Sequence, residues 1–329
     1  MTSLHKSLLL LLLAASTLVA NVECNYGGSG LRVGYYASTC PDAEILVRQS
    51  VSSAVSSNKR SGAGLIRTFF HDCFVEGCDA SVLIDSTPGN SAEKDGVPNQ
   101  TLHGYEIIDS AKSNIEKICP GVVSCADIVA IAARDSVELL GGPRFQVKTG
   151  RRDGRVSLAS KANSDIPSPL DGIDALTKSF ANKGLSQSQM VTLSGLHTVG
   201  KASCSAFTNR LYNFSTTTST DPTLDRAYVE HLKAACPQGA TTTVVDMDPV
   251  SPQVVDKQYY SNLVANKGLF TSDAAIYNSP QTQAQVVNNA RLPSKWQVDV
   301  VSALIAMGDV GVKTGTNGEI RLNCRVINP

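Results

Sequence analysis

The chain has 329 residues, enough for a large core, and its 29 acidic and 29 basic side chains cancel. That balance argues against a polyanion-binding surface, so nucleic acid is not an expected partner.

The N-terminal stretch MTSLHKSLLLLLLAASTLVANVEC has Lys6 in its head, an apolar run from Leu8 to Ala15 and small residues after it. It reads as a secretory signal peptide over residues 1–24. The run is shorter than the ~20 residues of a membrane span. No later stretch is long and apolar enough, so no membrane partner is expected. A secreted chain meets oxidising conditions, in which cysteines pair. Of the nine, cleavage after Cys24 leaves eight and one mature domain over 25–329, whereas cleavage after Ala20 keeps Cys24 as a free thiol. Eight cysteines allow about a hundred pairings, and spacing alone suggests only Cys73 with Cys78.

Helical signals follow in order. Pro41 opens a segment with Ala43, Leu46, Val47, Val51, Ala54 and Val55 on one face. Ile107, Ile108, Ala111, Ile115 and Ile118 repeat the pattern. Ser124 and Asp127 predict a capping box before CADIVAIAARDSVELL, which is apolar nearly all round and should be buried. Ser186 and Gln189 predict a second box before SQMVTLSGLHTVG, with Gly200 as the stop. LDRAYVEHLKAAC, DKQYYSNLVANKG and SKWQVDVVSALIAMG complete a mainly α protein. GEIRLNC is the best strand candidate, and the Ser/Thr-rich stretches 215–220 and 240–243 read as loops.

The chemistry concentrates in RTFFHDCFVEGCDASV, residues 67–82. On one helix, Arg67 and His71 are four apart and share a face. A fixed cation lowers the pKa of a nearby imidazole and keeps it a neutral base. The pair suits a reaction that moves a proton while negative charge develops. Asp72, Asp79 and Ser81, with the carbonyls of Val75 and Gly77, offer hard oxygens suited to Ca²⁺. A zinc site from His71, Asp72, Cys73 and Cys78 is the rival reading, although thiols oxidise in secreted proteins. His103 and His231 sit among polar neighbours and read as surface residues. His197, in LSGLHTVG, is either a satisfied core histidine or an axial haem ligand in need of a partner for its other nitrogen.

These residues resemble the secretory haem peroxidases of plants, called class III. The likeness runs from Leu31 to Asn328 through R-x-x-F-H-D-C-F-V-x-G-C-D-A-S, EKD with Pro98-Asn99, VSCADI, GRRDG, LSGLHT, DP-S-P with Asp256, LFTSD and IRLNCRVIN. The resemblance implies a two-part helical fold with one haem b between a distal and a proximal half. It makes His71 the acid–base group, Arg67 the stabiliser of the transition state, Phe70 a shield and Asn99 the acceptor for His71. It makes His197 the iron ligand and Asp273 the partner of its other nitrogen. Two Ca²⁺ ions are implied. The distal one would use Asp72, Val75, Gly77, Asp79 and Ser81, with Glu93 reaching it through water. The proximal one would use Thr198, Asp248, Ser251, Val254 and Asp256.

The resemblance also pairs Cys40 with Cys119, Cys73 with Cys78, Cys125 with Cys324 and Cys204 with Cys236. It implies reduction of H₂O₂ and oxidation of phenolic donors in two one-electron steps through an oxoferryl–radical state, with donors docking near Pro167. A monomer in the apoplast or cell wall is expected. A non-enzymatic, calcium-bound wall relative is the alternative, opposed by the intact Arg67, His71 and His197. Of two sequons, Asn213-Phe-Ser is expected to carry glycan and Asn99-Gln-Thr to stay bare. Thr68, Phe69, His103, Lys148, Gln189, Val255 and Lys257 depart from the usual pattern, and none has a proposed catalytic role.

Overall fold

A computed structural model describes residues 30–329; the expected signal peptide and Cys24 lie outside the described residues. Helices α1 (Ala43–Ser57), α2 (Arg60–Phe74), α3 (Tyr105–Glu116) and α4 (Cys125–Leu139) pack on one another as one half. The short α5 (Ala159–Asp165) leads to α6 (Ile173–Asn182), α7 (Gln187–Ser194) and α8 (Thr208–Leu211). They are followed by α9 (Arg226–Ala235), α10 (Gln258–Val264), α11 (Thr271–Asn278), α12 (Gln283–Arg291) and α13 (Pro293–Gly308). Strands β1 (Lys201–Ser203) and β2 (Val244–Asp246) pair antiparallel, with Lys201 opposite Asp246. The mainly α expectation holds.

The burial follows the periodicity. In α1 the buried face is Ala43, Val47, Val51 and Val55. From Cys125 to Val137 in α4 only Arg134 escapes burial, because this helix lies against α1, α2 and α3. Helix α13 ties the halves together, since it packs on both α7 and α2. A second, smaller core of Phe207, Leu211, Tyr228, Val229 and Leu232 sits around the strand pair and the Cys204–Cys236 bridge.

The GRRDG segment is a crosslink. Arg151 donates to Asp127 (2.8 Å) and to the Gly308 carbonyl (2.7 Å). Asp153 accepts from the backbone N–H groups of Ala126 (2.9 Å) and Arg321 (2.8 Å). Gly154 donates to the Asp79 carbonyl at 2.8 Å, and a Cβ there would collide with the Asp79 carboxylate. Buried charges of this kind persist because each is paired and hydrogen-bonded.

Four sequence expectations need correction. GEIRLNC is not a strand: Glu319 makes one bridge to Asp153, and the Asp153 side chain takes the Arg321 N–H that a ladder would use. Ser124 caps Asp127 N (3.1 Å), but the reciprocal half of the box is missing. The Asp127 carboxylate accepts instead from Tyr36 (2.7 Å), Gly150 N (2.6 Å) and Arg151. Helix α3 stops at Glu116, which leaves Ile118 exposed. The helix capped by Ser186 and Gln189 ends at Ser194 and tightens into a 3₁₀ turn over Gly195–Thr198, well before Gly200. Tyr260 Oη donates to the carbonyls of Val191 (2.8 Å) and Thr192 (3.1 Å), and Trp296 Nε1 to that of Thr192 (3.2 Å). These donors satisfy carbonyls that a continuing α-helix would use.

Candidate active site

Helix α2 brings Arg67 and His71 together: Arg67 Nε donates to His71 Nε2 at 3.2 Å. The guanidinium also donates to Thr101 Oγ1 (2.8 Å) and to the Pro98 carbonyl (2.9 Å). On the other side of the ring, His71 Nδ1 lies 2.6 Å from Asn99 Oδ1. The Asn99 amide has a defined orientation, because its Nδ2 donates to the Glu93 carbonyl at 2.8 Å. Its oxygen therefore faces the imidazole and accepts the Nδ1 proton. Nε2, left as the lone pair, accepts from Arg67. Burial first, and then the Arg67 charge, push the His71 pKa down to about 3. His71 is thus a neutral base with a fixed tautomer. Phe70 stands edge-on to His71 (5.5 Å between centroids) and is packed on Phe74 (4.3 Å), which meets Phe180 of α6 (4.8 Å).

Asp72, Asp79, Ser81 and Glu93 are all fully buried. Asp72 Oδ1, Ser81 Oγ and both Glu93 carboxylate oxygens have no hydrogen-bond partner. Burial, then its carboxylate neighbour, pushes Glu93 up to about 9; burial beside Asp79 also raises Asp72 well above its usual range. Buried, unpaired oxygens cost several kcal/mol unless something neutralises them, about 1–3 each even when uncharged. This donor set fits a hard cation of the Ca²⁺ type. Cys73 and Cys78 are bonded to each other, so neither offers a thiolate to zinc.

The second oxygen cluster converges on Thr198, next to His197. Thr198 Oγ1 lies 3.1 Å from Asp256 Oδ1, 3.2 Å from Asp248 Oδ2 and 3.3 Å from the Val254 carbonyl. Ser251 Oγ is 2.9 Å from Asp256 Oδ2. Two carboxylates, two hydroxyls and a carbonyl suit the same kind of ion.

His197 sits on the 3₁₀ turn, with Nδ1 2.9 Å from Asp273 Oδ1. Its ring is flanked edge-on by Phe270 (5.6 Å) and Tyr259 (5.9 Å). Burial alone would raise the Asp273 carboxyl, but His197, the Phe270 N–H (2.9 Å) and Tyr259 (3.0 Å) hold it below the usual range. Nε2 of His197 has no hydrogen bond among the described residues.

Residues 47–291 match the family described as Peroxidase. The chain is 53% identical over 301 residues to Peroxidase 5 of Vitis vinifera, covering 91% of this chain and 92% of that one. It is 47% identical over 300 residues to Peroxidase 55 of Arabidopsis thaliana, covering 91% of each. This chain belongs to the peroxidase family. It is a plant peroxidase of class III, and as a haem peroxidase it takes H₂O₂ and small donors as substrates.

Among the described residues of this peroxidase, four disulfides join Cys40–Cys119, Cys73–Cys78, Cys125–Cys324 and Cys204–Cys236. Pro167 is half-buried between α5 and α6, in a loop whose Pro169 carbonyl accepts from Ser272 N beside Asp273. Asn213 is exposed in a loop, while Asn99 is buried with its Nδ2 already donated to Glu93. No helix among the described residues is long and apolar enough to cross a membrane.

Sequence reasoning gave no site role to three residues. Thr101 and Pro98, 34 and 31 residues beyond Arg67, anchor its guanidinium. Lys313 pairs with Asp79 across 234 residues and so brings a cation to the distal oxygen cluster. Thr101 stands in the Asn99-Gln-Thr sequon, its one signal in the sequence; Lys313 carries none.

Proposed function

We propose that this peroxidase holds one haem b through His197 and reduces H₂O₂ to water while oxidising phenolic donors in two one-electron steps. When bound, the haem supplies the redox-active iron that receives the oxidising equivalents. The reading is carried by one feature: both imidazoles are pinned at Nδ1 by a buried oxygen, Asn99 for His71 and Asp273 for His197. Each therefore presents Nε2, one as a base and one as a ligand.

His71 Nε2 takes a proton from the bound peroxide and returns it to the outer oxygen, which leaves as water. Arg67 must first release Nε2; its fixed charge then stabilises the negative charge that develops as the O–O bond breaks. Phe70 screens the reacting oxygen, and donors approach near Pro167. The anionic Asp273 draws on the His197 Nδ1 proton and makes the opposite nitrogen a stronger donor.

Two Ca²⁺ ions complete the reading. Asp72, Asp79, Ser81 and the carbonyls of Val75 and Gly77, with Glu93 through water, would hold the distal one. Thr198, Asp248, Ser251, Val254 and Asp256 would hold the proximal one. Each cluster begins at the residue after a site histidine, so each ion would fix the backbone beside it. We assign residues 1–24 to a signal peptide and 25–329 to one secreted, monomeric peroxidase domain of the apoplast or cell wall, with glycan on Asn213.

The test is the purified protein with haem. A Soret band and peroxide-dependent oxidation of guaiacol are expected, both altered by His197→Ala. Wild-type haem absorption in that variant would remove His197 as ligand, and a protein that retains no haem would overturn the reading.

A further inference from the structure

We propose that Tyr259 sets the donor strength of the proximal imidazole by sharing the Asp273 oxygen that accepts from His197; this rests on the assignment of His197 as iron ligand. Asp273 Oδ1 accepts from His197 Nδ1 at 2.9 Å and from Tyr259 Oη at 3.0 Å, while Oδ2 accepts from the Phe270 N–H at 2.9 Å. Two donors thus fall on one oxygen. Each draws density from the same lone pairs, so each weakens the other's bond. A carboxylate that holds its histidine alone pulls the Nδ1 proton further and makes the ring more anionic. Tyr259 restrains that pull.

The geometry leaves the phenol no other use. Tyr259 is 3% exposed, and its ring stands edge-on to His197 and to Tyr260. The hydroxyl faces a carboxylate oxygen that has no proton to give, so the phenol is the donor. Its orientation is set from below: Tyr260, the next residue on α10, is anchored to the carbonyls of Val191 and Thr192 in α7. Tyr259 is therefore a positioning residue, acting on the iron only through Asp273 and His197.

Tyr259→Phe removes one hydroxyl and keeps the ring. In the haem-loaded protein, the ferrous iron–histidine stretch should move to higher frequency and the ferric/ferrous reduction potential should fall. Replacing Tyr259 by 3,5-difluorotyrosine, a stronger acid and hence a stronger donor, should move both in the opposite direction. Asp273→Asn serves as the reference, and should lower the stretch. If the phenol merely satisfies a buried carboxylate, Tyr259→Phe lowers the melting temperature and leaves stretch and potential unchanged, and the proposal fails. If Asp273→Asn and His197→Ala also leave the spectrum unchanged, the assignment of the ligand itself is what has failed.

Discussion

Asn99 Oδ1 and His71 Nδ1 lie 2.6 Å apart in the interior, and the Asn99 amide is oriented by the Glu93 carbonyl. Glu93 also contributes two unpaired carboxylate oxygens to the cluster around Asp72 and Ser81. One residue therefore connects the base to the oxygen cluster, through its backbone on one side and its side chain on the other.

Replacing His71 by Ala should slow reaction with peroxide by at least about 10²–10⁴-fold, the usual share of general acid–base catalysis, and leave haem bound. Stopped-flow absorbance measures it, and an unchanged rate would remove His71 from the chemistry. Asn99→Val, which frees the ring to change tautomer, should give a smaller loss in the same direction.

The His71 pKa is depressed to about 3 by burial and by Arg67. Its unfolded value is about 6.5, so the unfolded chain binds a proton first as pH falls. The contribution of His71 to stability is therefore complete above about pH 6.5 and is lost progressively down to about pH 3. The rate of reaction with peroxide should stay level through pH 5 and fall only nearer pH 3. A midpoint near pH 6.5 would show that His71 is not held as the structure holds it.

Chelation of Ca²⁺ should lower the melting temperature, because Asp72, Ser81 and Glu93 would keep four buried oxygens without a partner. Glu93 without a cation is raised to about 9. A carboxyl raised in the folded state favours folding below its unfolded pKa and loses that advantage as pH rises toward the folded one. The drop on chelation should thus be larger at pH 8 than at pH 5. Two calcium ions per chain by elemental analysis are expected, and none would show that the oxygen clusters have another use.

Gly195→Ala should destabilise the protein by about 1–3 kcal/mol, as overpacking of a filled core does. A Cβ at Gly195, the first residue of the turn that carries His197, would stand 2.5 Å from Tyr260 Oη and 2.8 Å from Trp296 Nε1. Thermal unfolding and the haem spectrum should change together. A wild-type melting curve would mean that the turn can shift at no cost.

The Cys125–Cys324 bridge spans 199 residues and, in the chain-entropy view, stabilises by about 5 kcal/mol. Converting both to Ala should leave a protein that unfolds at much lower denaturant. The Cys73–Cys78 loop, with a separation of 5, should cost less when opened.

Much of this protein is legible along the chain wherever the interacting residues are close in sequence. Helical periodicity predicts the faces of α1 and α4, the spacing of Arg67 and His71 predicts their shared face, and the Ser186–Gln189 box is present as expected. Asn99, Asp273 and three of the disulfides entered through resemblance to a family, not through spacing. The fold alone brings Asp273 to His197 across 76 residues, Tyr259 to Asp273 on a neighbouring helix, and Lys313 to Asp79. The reason is geometric. Within a few residues, backbone dihedrals determine which side chains meet, whereas a hydrogen bond between distant segments depends on how whole helices dock, and local composition does not encode that docking.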